Sequence, residues 1–326
     1  MQSFGVPGLE LVTFDRFGII SNVGVGLSDI FRAQRVNPRT LFQAASISKV
    51  VSAVGALRLV EEELLDLDEE VNKVLAKWKI PSNRYTRSRS VTLREILTHT
   101  AGLSIGGFPG YAQRAPIPTL LQILDGHPPA NNTPIRVTST PGRRFRYSGG
   151  GFVVLQLLME QMTGERFDRL MERLVLRPAG MLSSTFHQPL ERRRWQRAAI
   201  GYNADGAAVE GRWHNYPELA AAGLWTTALD LAKFGMEIMR EVSGTSDRLL
   251  TPRMAQRMTA RQKQNMGLGW AVFRRGHFTT FEHSGGNLGY RCRLCCSVDG
   301  PGVAVMTNSD AGEDLISSLL ESVFGS

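Results

Sequence analysis

Ser46-Ile47-Ser48-Lys49-Val50-Val51-Ser52-Ala53-Val54-Gly55-Ala56-Leu57-Arg58-Leu59-Val60 is the stretch on which the reading of the fold turns. Ile47, Val50, Val51, Val54, Leu57, Leu59 and Val60 recur mostly at steps of three and four, the period of a helix, and the helical pattern is expected to run over residues 40–63. Upstream the period changes to two. Leu9 to Phe14 and Ile19 to Val25 read as strands joined by the turn Asp15-Arg16-Phe17-Gly18. Downstream, to about residue 240, helices and Pro/Gly-rich loops dominate. Thr92, with Glu95 three residues on, is a capping box opening a helix over Leu93 to Thr98, and Phe152–Met162 and Phe167–Leu174 are further helices. After Met266 strands return: Gly269–Phe273, Phe278–Glu282, Arg291–Val298 and Val303–Thr307, before an amphipathic helix over Gly312–Phe324. Strands at both ends and helices between them imply an α+β fold. Both chain ends join in one antiparallel sheet flanked by helices, and a mostly helical domain is inserted. The expected division is 1–52 with 221–326 for the sheet domain and 53–220 for the helical domain, with a site in the cleft between them.

The bulk numbers exclude several classes. The 326 residues suffice for a large core, and 42% hydrophobic with 21% charged residues is ordinary for a globular protein. No apolar run approaches the roughly 18 residues of a membrane helix. Net charge is +8, with only six lysines among 38 basic residues. The arginines cluster at 143–146 and 192–197 but are otherwise spread along the chain with no nucleic-acid motif, so no nucleic-acid partner is expected. Cys292, Cys295 and Cys296 are odd in number and lack a second pair for zinc; they read as small apolar residues of a strand. No signal peptide is visible, so the sequence as it stands reads as cytoplasmic, or as periplasmic or secreted if its start is truncated.

Ser46-x-x-Lys49 is the only such pair in the chain, and helical spacing brings the amine to the hydroxyl. A serine hydroxyl needs a base beside it, and a lysine serves when its surroundings favour the neutral amine. Two later stretches accompany the pair: Tyr147-Ser148-Gly149 before a helix, and His283-Ser284-Gly285-Gly286 near the end of a strand. Gly102-Leu103-Ser104-Ile105-Gly106 matches the nucleophile elbow of another hydrolase fold, but that elbow follows a strand, whereas here a helix precedes it and a loop follows.

In this order and at these distances the motifs resemble the class C β-lactamase, D-alanyl-D-alanine peptidase and family VIII carboxylesterase superfamily. Leu97-Thr98-His99-Thr100-Ala101-Gly102-Leu103 and Ala222-Gly223-Leu224-Trp225-Thr226-Thr227 are similar to two further segments of that family. The resemblance implies a serine hydrolase working through an acyl-enzyme. Ser46 is the nucleophile; Lys49 takes its proton, alone or shared with Tyr147, and Tyr147 protonates the leaving group and helps activate water for deacylation, the sequence leaving open which of the two is the acylation base. His283 stands where relatives carry Lys and is expected to donate to Tyr147 or a substrate carboxylate, with a charge that varies near neutral pH. The backbone N–H groups of Ser46 and Gly286 would form the oxyanion hole. Ser148, Gly149, Ser284, Gly285, Trp225 and Tyr290 would line the substrate site, and His99 would be structural. No cofactor or metal is implied.

β-Lactamases of this kind carry Asn at the position of Gly149 and Lys at that of His283. Both departures favour a carboxylesterase on small acyl esters with weak or no β-lactamase activity. The alternative is a β-lactamase or penicillin-binding D-amino-acid peptidase, and a non-catalytic binding relative ranks last. The partner is then a small-molecule ester or amide. Relatives have a helix before the first strand, whereas about eight residues precede Leu9 here. A homo-oligomer covering that face is one expectation, a late start the other.

Overall fold

A computed structural model describes residues 1–325. The strands are β1 (Gly8–Phe14), β2 (Ile19–Asp29), β3 (Gln34–Arg35), β4 (Phe42–Gln43), β5 (Trp225–Thr226), β6 (Ala271–Arg275), β7 (Phe278–Asn287), β8 (Tyr290–Ser297) and β9 (Gly302–Thr307). The α-helices are α1 (Ile47–Glu61), α2 (Val71–Val74), α3 (Leu93–Leu97), α4 (Leu120–Asp125), α5 (Gly149–Thr163), α6 (Phe167–Met171), α7 (Leu219–Ala222), α8 (Ala228–Val242), α9 (Pro252–Thr259) and α10 (Gly312–Phe324). Among the described residues seven strands form one antiparallel sheet in the order β3-β2-β1-β9-β8-β7-β6, and β4 pairs with β5 apart from it. The two chain ends therefore meet at β1 and β9, as expected. No helix among the described residues is long and apolar enough to cross a membrane.

Alternation along the strands builds two cores. Val12, Phe14, Cys292, Leu294, Cys296, Ala304 and Met306 face inward toward the main helical core, where α8 packs on β1, β8 and β9. Leu9, Cys295, Val303 and Val305 point to the other face, under Leu315, Ile316 and Leu320 of α10. The three cysteines are buried and free, and the sheet itself separates Cys295 from the other two.

Local expectations differ from the structure at three places. The helix expected from Thr40 begins only after Ser46, because Phe42 and Gln43 pair with Thr226 and Trp225, and Ala45 takes φ +47°. The domain boundary drawn at 52/53 falls inside α1, a continuous helix. The helix expected from Phe152 starts three glycines earlier, capped by Ser148. The Thr92–Glu95 capping box forms as read.

The core also holds buried carboxylates. Burial pushes Glu241 up to about 8 although its Oε1 accepts from the N–H groups of Leu249 (2.6 Å) and Leu250 (3.1 Å). Burial likewise pushes Glu218 up to about 8, and Glu10, beside the N-terminus of α8, up to about 7. A carboxyl whose folded value lies above its unfolded one keeps its proton in the native state after the unfolded chain has lost it. Its contribution is thus full below the unfolded value and is lost as pH rises from about 4.5 through about 8. Thermal stability should accordingly fall by several degrees between pH 5 and 8. Glu241→Gln keeps the acceptor and removes one titration, so its Tm-against-pH curve should be flatter than that of the parent in calorimetry.

Candidate active site

Ser46 is the N-cap of α1, yet its side chain makes no capping bond to its own helix. The left-handed Ala45 before it turns the chain sharply, and among the described residues the Ser46 N–H has no hydrogen-bond partner. Both groups an acyl-transfer nucleophile needs, a free hydroxyl and a free N–H, are therefore left available at one helix start. One turn on, the Lys49 ammonium lies 3.0 Å from Ser46 Oγ and donates to the Ala221 carbonyl at 2.8 Å. Lys49 is only 1% exposed, and neither of its hydrogen-bond partners is a carboxylate. Its Nζ stands over the rings of Tyr147 at 5.1 Å and Phe152 at 5.8 Å from their centroids.

The short α7 fixes this arrangement. Its last three carbonyls are taken in turn: Ala220 by Ser52 Oγ (3.2 Å), Ala221 by Lys49, and Ala222 by Asn287 Nδ2 (3.2 Å). Ser48 Oγ accepts from the Leu224 N–H at 3.0 Å. The Ala222–Thr227 segment noticed in the sequence thus ties α1 to β7, and Ala221, not singled out from sequence, is the residue that holds the lysine.

Tyr147 sits in the loop before α5, partly exposed, and His99 clamps that loop. The His99 carbonyl accepts from the Arg146 N–H at 2.7 Å, its Nδ1 accepts from the Ser148 N–H at 3.1 Å, and its ring lies 4.3 Å from that of Tyr147. Burial first, then the charge of Lys49, hold His99 well below its ordinary value, so it is a neutral wedge beside the tyrosine. Its backbone takes φ +54°, a conformation a non-glycine residue adopts only when the surroundings enforce it.

The third motif lies inside β7. β6 ends opposite Glu282, so from His283 onward β7 has β8 on one side and no strand on the other. A Cβ on Gly285 would stand 2.3 Å from the Ala44 carbonyl oxygen and 2.5 Å from Cys292 Sγ. The missing side chain is what lets β7 run directly against the turn that carries Ser46, and it brings the exposed Gly286 to the same end of α1. Cys292 Sγ donates to the Ala44 carbonyl at 3.1 Å, a second tie between strand and turn.

His283 is 6% exposed, with its ring centroid 6.1 Å from that of Tyr147. The expectation that it donates toward Tyr147 and changes charge near neutrality is corrected. Burial, then the Lys49 charge, push it down to about 3, so it is neutral at physiological pH. Its Nδ1 lies 2.6 Å from the Ser284 carbonyl, which can only accept; the proton therefore sits on Nδ1 and Nε2 is left as an acceptor.

The other expected site residues divide. Ser284 is exposed in a cavity beside Tyr147 and His283. Ser148 is instead a buried cap: its Oγ accepts from the Gly151 N–H and donates to the Ser104 carbonyl, both at 2.9 Å. Gly149 is buried too. A Cβ there would meet the Gly106 carbonyl oxygen and Phe108 Cε2, each at 3.0 Å, so the Gly106–Phe108 loop fills the space a side chain would enter. Trp225 and Tyr290, expected as pocket walls, are wholly within the core. Trp195, Trp213, Trp225 and Tyr290 pack edge to face in series, and the Tyr290 hydroxyl donates to the Ala199 carbonyl at 2.7 Å. Ser104 is stitched to the 134–136 segment, its Oγ accepting from the Arg136 N–H at 2.9 Å, with α3 and no strand before it.

Comparison with known proteins identifies the family and the fold. The Beta-lactamase family model matches residues 1–318. Protein flp of Staphylococcus aureus (strain N315) is 23% identical over 242 residues, 71% of this chain and 45% of its own; the chain thus spans less than half the length of the curated relatives it first matches. Two solved structures share the fold over nearly the whole chain. D-amino acid amidase from Ochrobactrum anthropi SV3 has TM-score 0.80 and 21% identity, covering 99% of this chain and 95% of its own. EstCE1, a hydrolase with promiscuous acyltransferase activity, has TM-score 0.79 and 19% identity, covering 98% and 94%. With the family model spanning the described core and both ends of the sheet, the chain belongs to the Beta-lactamase family.

Proposed function

We propose that the protein is a carboxylesterase on small acyl esters, with Ser46 as nucleophile. Lys49, acting as base, takes the Ser46 hydroxyl proton as Oγ bonds to the ester carbonyl carbon. The Ser46 and Gly286 N–H groups bear the resulting oxyanion. The bond to the leaving oxygen then breaks as that oxygen takes a proton from Tyr147, whose phenolic oxygen is reprotonated from Lys49. Water enters by the reverse route, its oxygen attacking the acyl carbon and its proton returning the Ser46 hydroxyl. His283 Nε2 can accept a hydrogen bond on the Tyr147 side and offers no fixed positive charge to a substrate carboxylate.

The observation that carries the ester reading is the crowding at Gly149. Where a β-lactamase would present an Asn amide to its substrate, this chain has a buried glycine whose side-chain space is closed by the Gly106 carbonyl and the Phe108 ring. An ester, with no N–H to be recognised, loses least from that replacement. The test is a panel: kcat/KM for p-nitrophenyl acetate and butyrate against nitrocefin and a D-Ala-D-Ala peptide. The esters are expected to exceed both by at least about tenfold, a difference of about 1.4 kcal/mol in transition-state binding. A β-lactam or peptide preference of that size would replace this reading with the lactamase or peptidase one.

A further inference from the structure

A cavity of about 620 Å³ opens beside Tyr147 and His283; both residues line it and Ser46 does not. Phe145 and Phe273 give it apolar walls. Its charge is one-sided. Arg274, Arg275 and Arg293 line it against a single carboxylate, Glu282. That carboxylate is already shared, with Arg275 at 3.0 Å and Arg293 at 3.7 Å, and Glu313 from outside takes the other arm of Arg293 at 2.6 Å. Arg274 is exposed and makes no ion pair or side-chain hydrogen bond among the described residues. His283, neutral by burial, adds nothing to the balance.

We infer that this cavity is the leaving-group subsite and that it selects an alcohol or phenol with an apolar, ring-sized body and an anionic group at its far end. The inference rests on the esterase reading, because it is the role of Tyr147 as proton donor that makes its side of the nucleophile the leaving-group side. The apolar walls of Phe145 and Phe273 take the body of the leaving group. The exposed guanidinium of Arg274, unpaired among the described residues, meets the anion, where a charge in partial solvent gains affinity without being stripped of all its water.

The experiment compares 3-acetoxybenzoate with its neutral methyl ester, each rate divided by that ester's own hydroxide-catalysed rate. At low ionic strength the carboxylate ester is expected to be favoured by about threefold to tenfold in kcat/KM, with the preference shrinking in about 0.5 M salt as the charges are screened. Arg274→Ala should abolish the preference by lowering kcat/KM for the carboxylate ester toward that of the methyl ester. Equal rates for the two esters, or a preference that survives Arg274→Ala, would overturn the inference while leaving the esterase reading in place. Failure to turn over either ester would overturn that reading and the subsite with it.

Discussion

A Lys49→Met variant is expected to lose about a thousandfold in kcat/KM toward p-nitrophenyl esters while its Tm stays level or rises. The rate loss follows from the 3.0 Å contact with Ser46 Oγ: without an amine there, nothing within reach removes the hydroxyl proton, and general bases of this kind are worth about 10²–10⁴ in rate. The stability expectation runs the other way. Lys49 is buried without a carboxylate, an arrangement that costs the folded state, and Met fills a similar volume without a charge. The Ala221 carbonyl loses its donor, which offsets part of the gain by about 1 kcal/mol. A side chain kept for packing alone would show activity and Tm falling together. Steady-state kinetics and calorimetry on the same preparation separate the two.

Gly285→Ala is expected to cut kcat/KM about a hundredfold and to destabilise the fold by about 1–3 kcal/mol. The new Cβ would stand 2.3 Å from the Ala44 carbonyl oxygen, a backbone atom one residue from the left-handed Ala45, and 2.5 Å from the buried Cys292 Sγ. Neither can swing aside, so β7 and the Ser46 turn must part. Overpacking of that size costs about 1–3 kcal/mol, and a displacement of about 1 Å at a reacting centre costs about 10² in rate. Adding Cys292→Ala relieves only the sulfur contact, so the double variant should recover part of the stability and little of the activity.

The sheet was legible because its strands carry a period of two and its two faces are both apolar: Val12 and Phe14 inward, Leu9 outward, with Leu294 and Cys295 repeating the pattern on β8. The Ser46–Lys49 pair was legible because helical spacing alone predicts the contact. What escaped the sequence depends on distant chain. The start of α1 was placed too early because Phe42 and Gln43 suit a helix locally and become a strand only against Trp225 and Thr226. Trp225 and Tyr290 look like pocket aromatics until the ladder from Trp195 and Trp213 encloses them. The acceptor state of His283 comes from the Ser284 carbonyl and from burial, neither of which a three-residue motif records. Phe108 and Ala221 carried no signal at all: one is an aromatic in a Pro/Gly loop, the other an alanine that acts through its carbonyl. His99 was read as structural, and its clamp on both sides of Tyr147 gives that word its content.

The central claim is that Ser46 becomes acylated during turnover. Rapid acid quench during hydrolysis of p-nitrophenyl butyrate, followed by intact-mass measurement and peptide mapping, tests it directly. The account predicts a butyryl adduct on the peptide bearing Ser46, present in a Ser104→Ala variant and absent, with turnover, in Ser46→Ala. An adduct on Ser104, or undiminished turnover by Ser46→Ala, would contradict it.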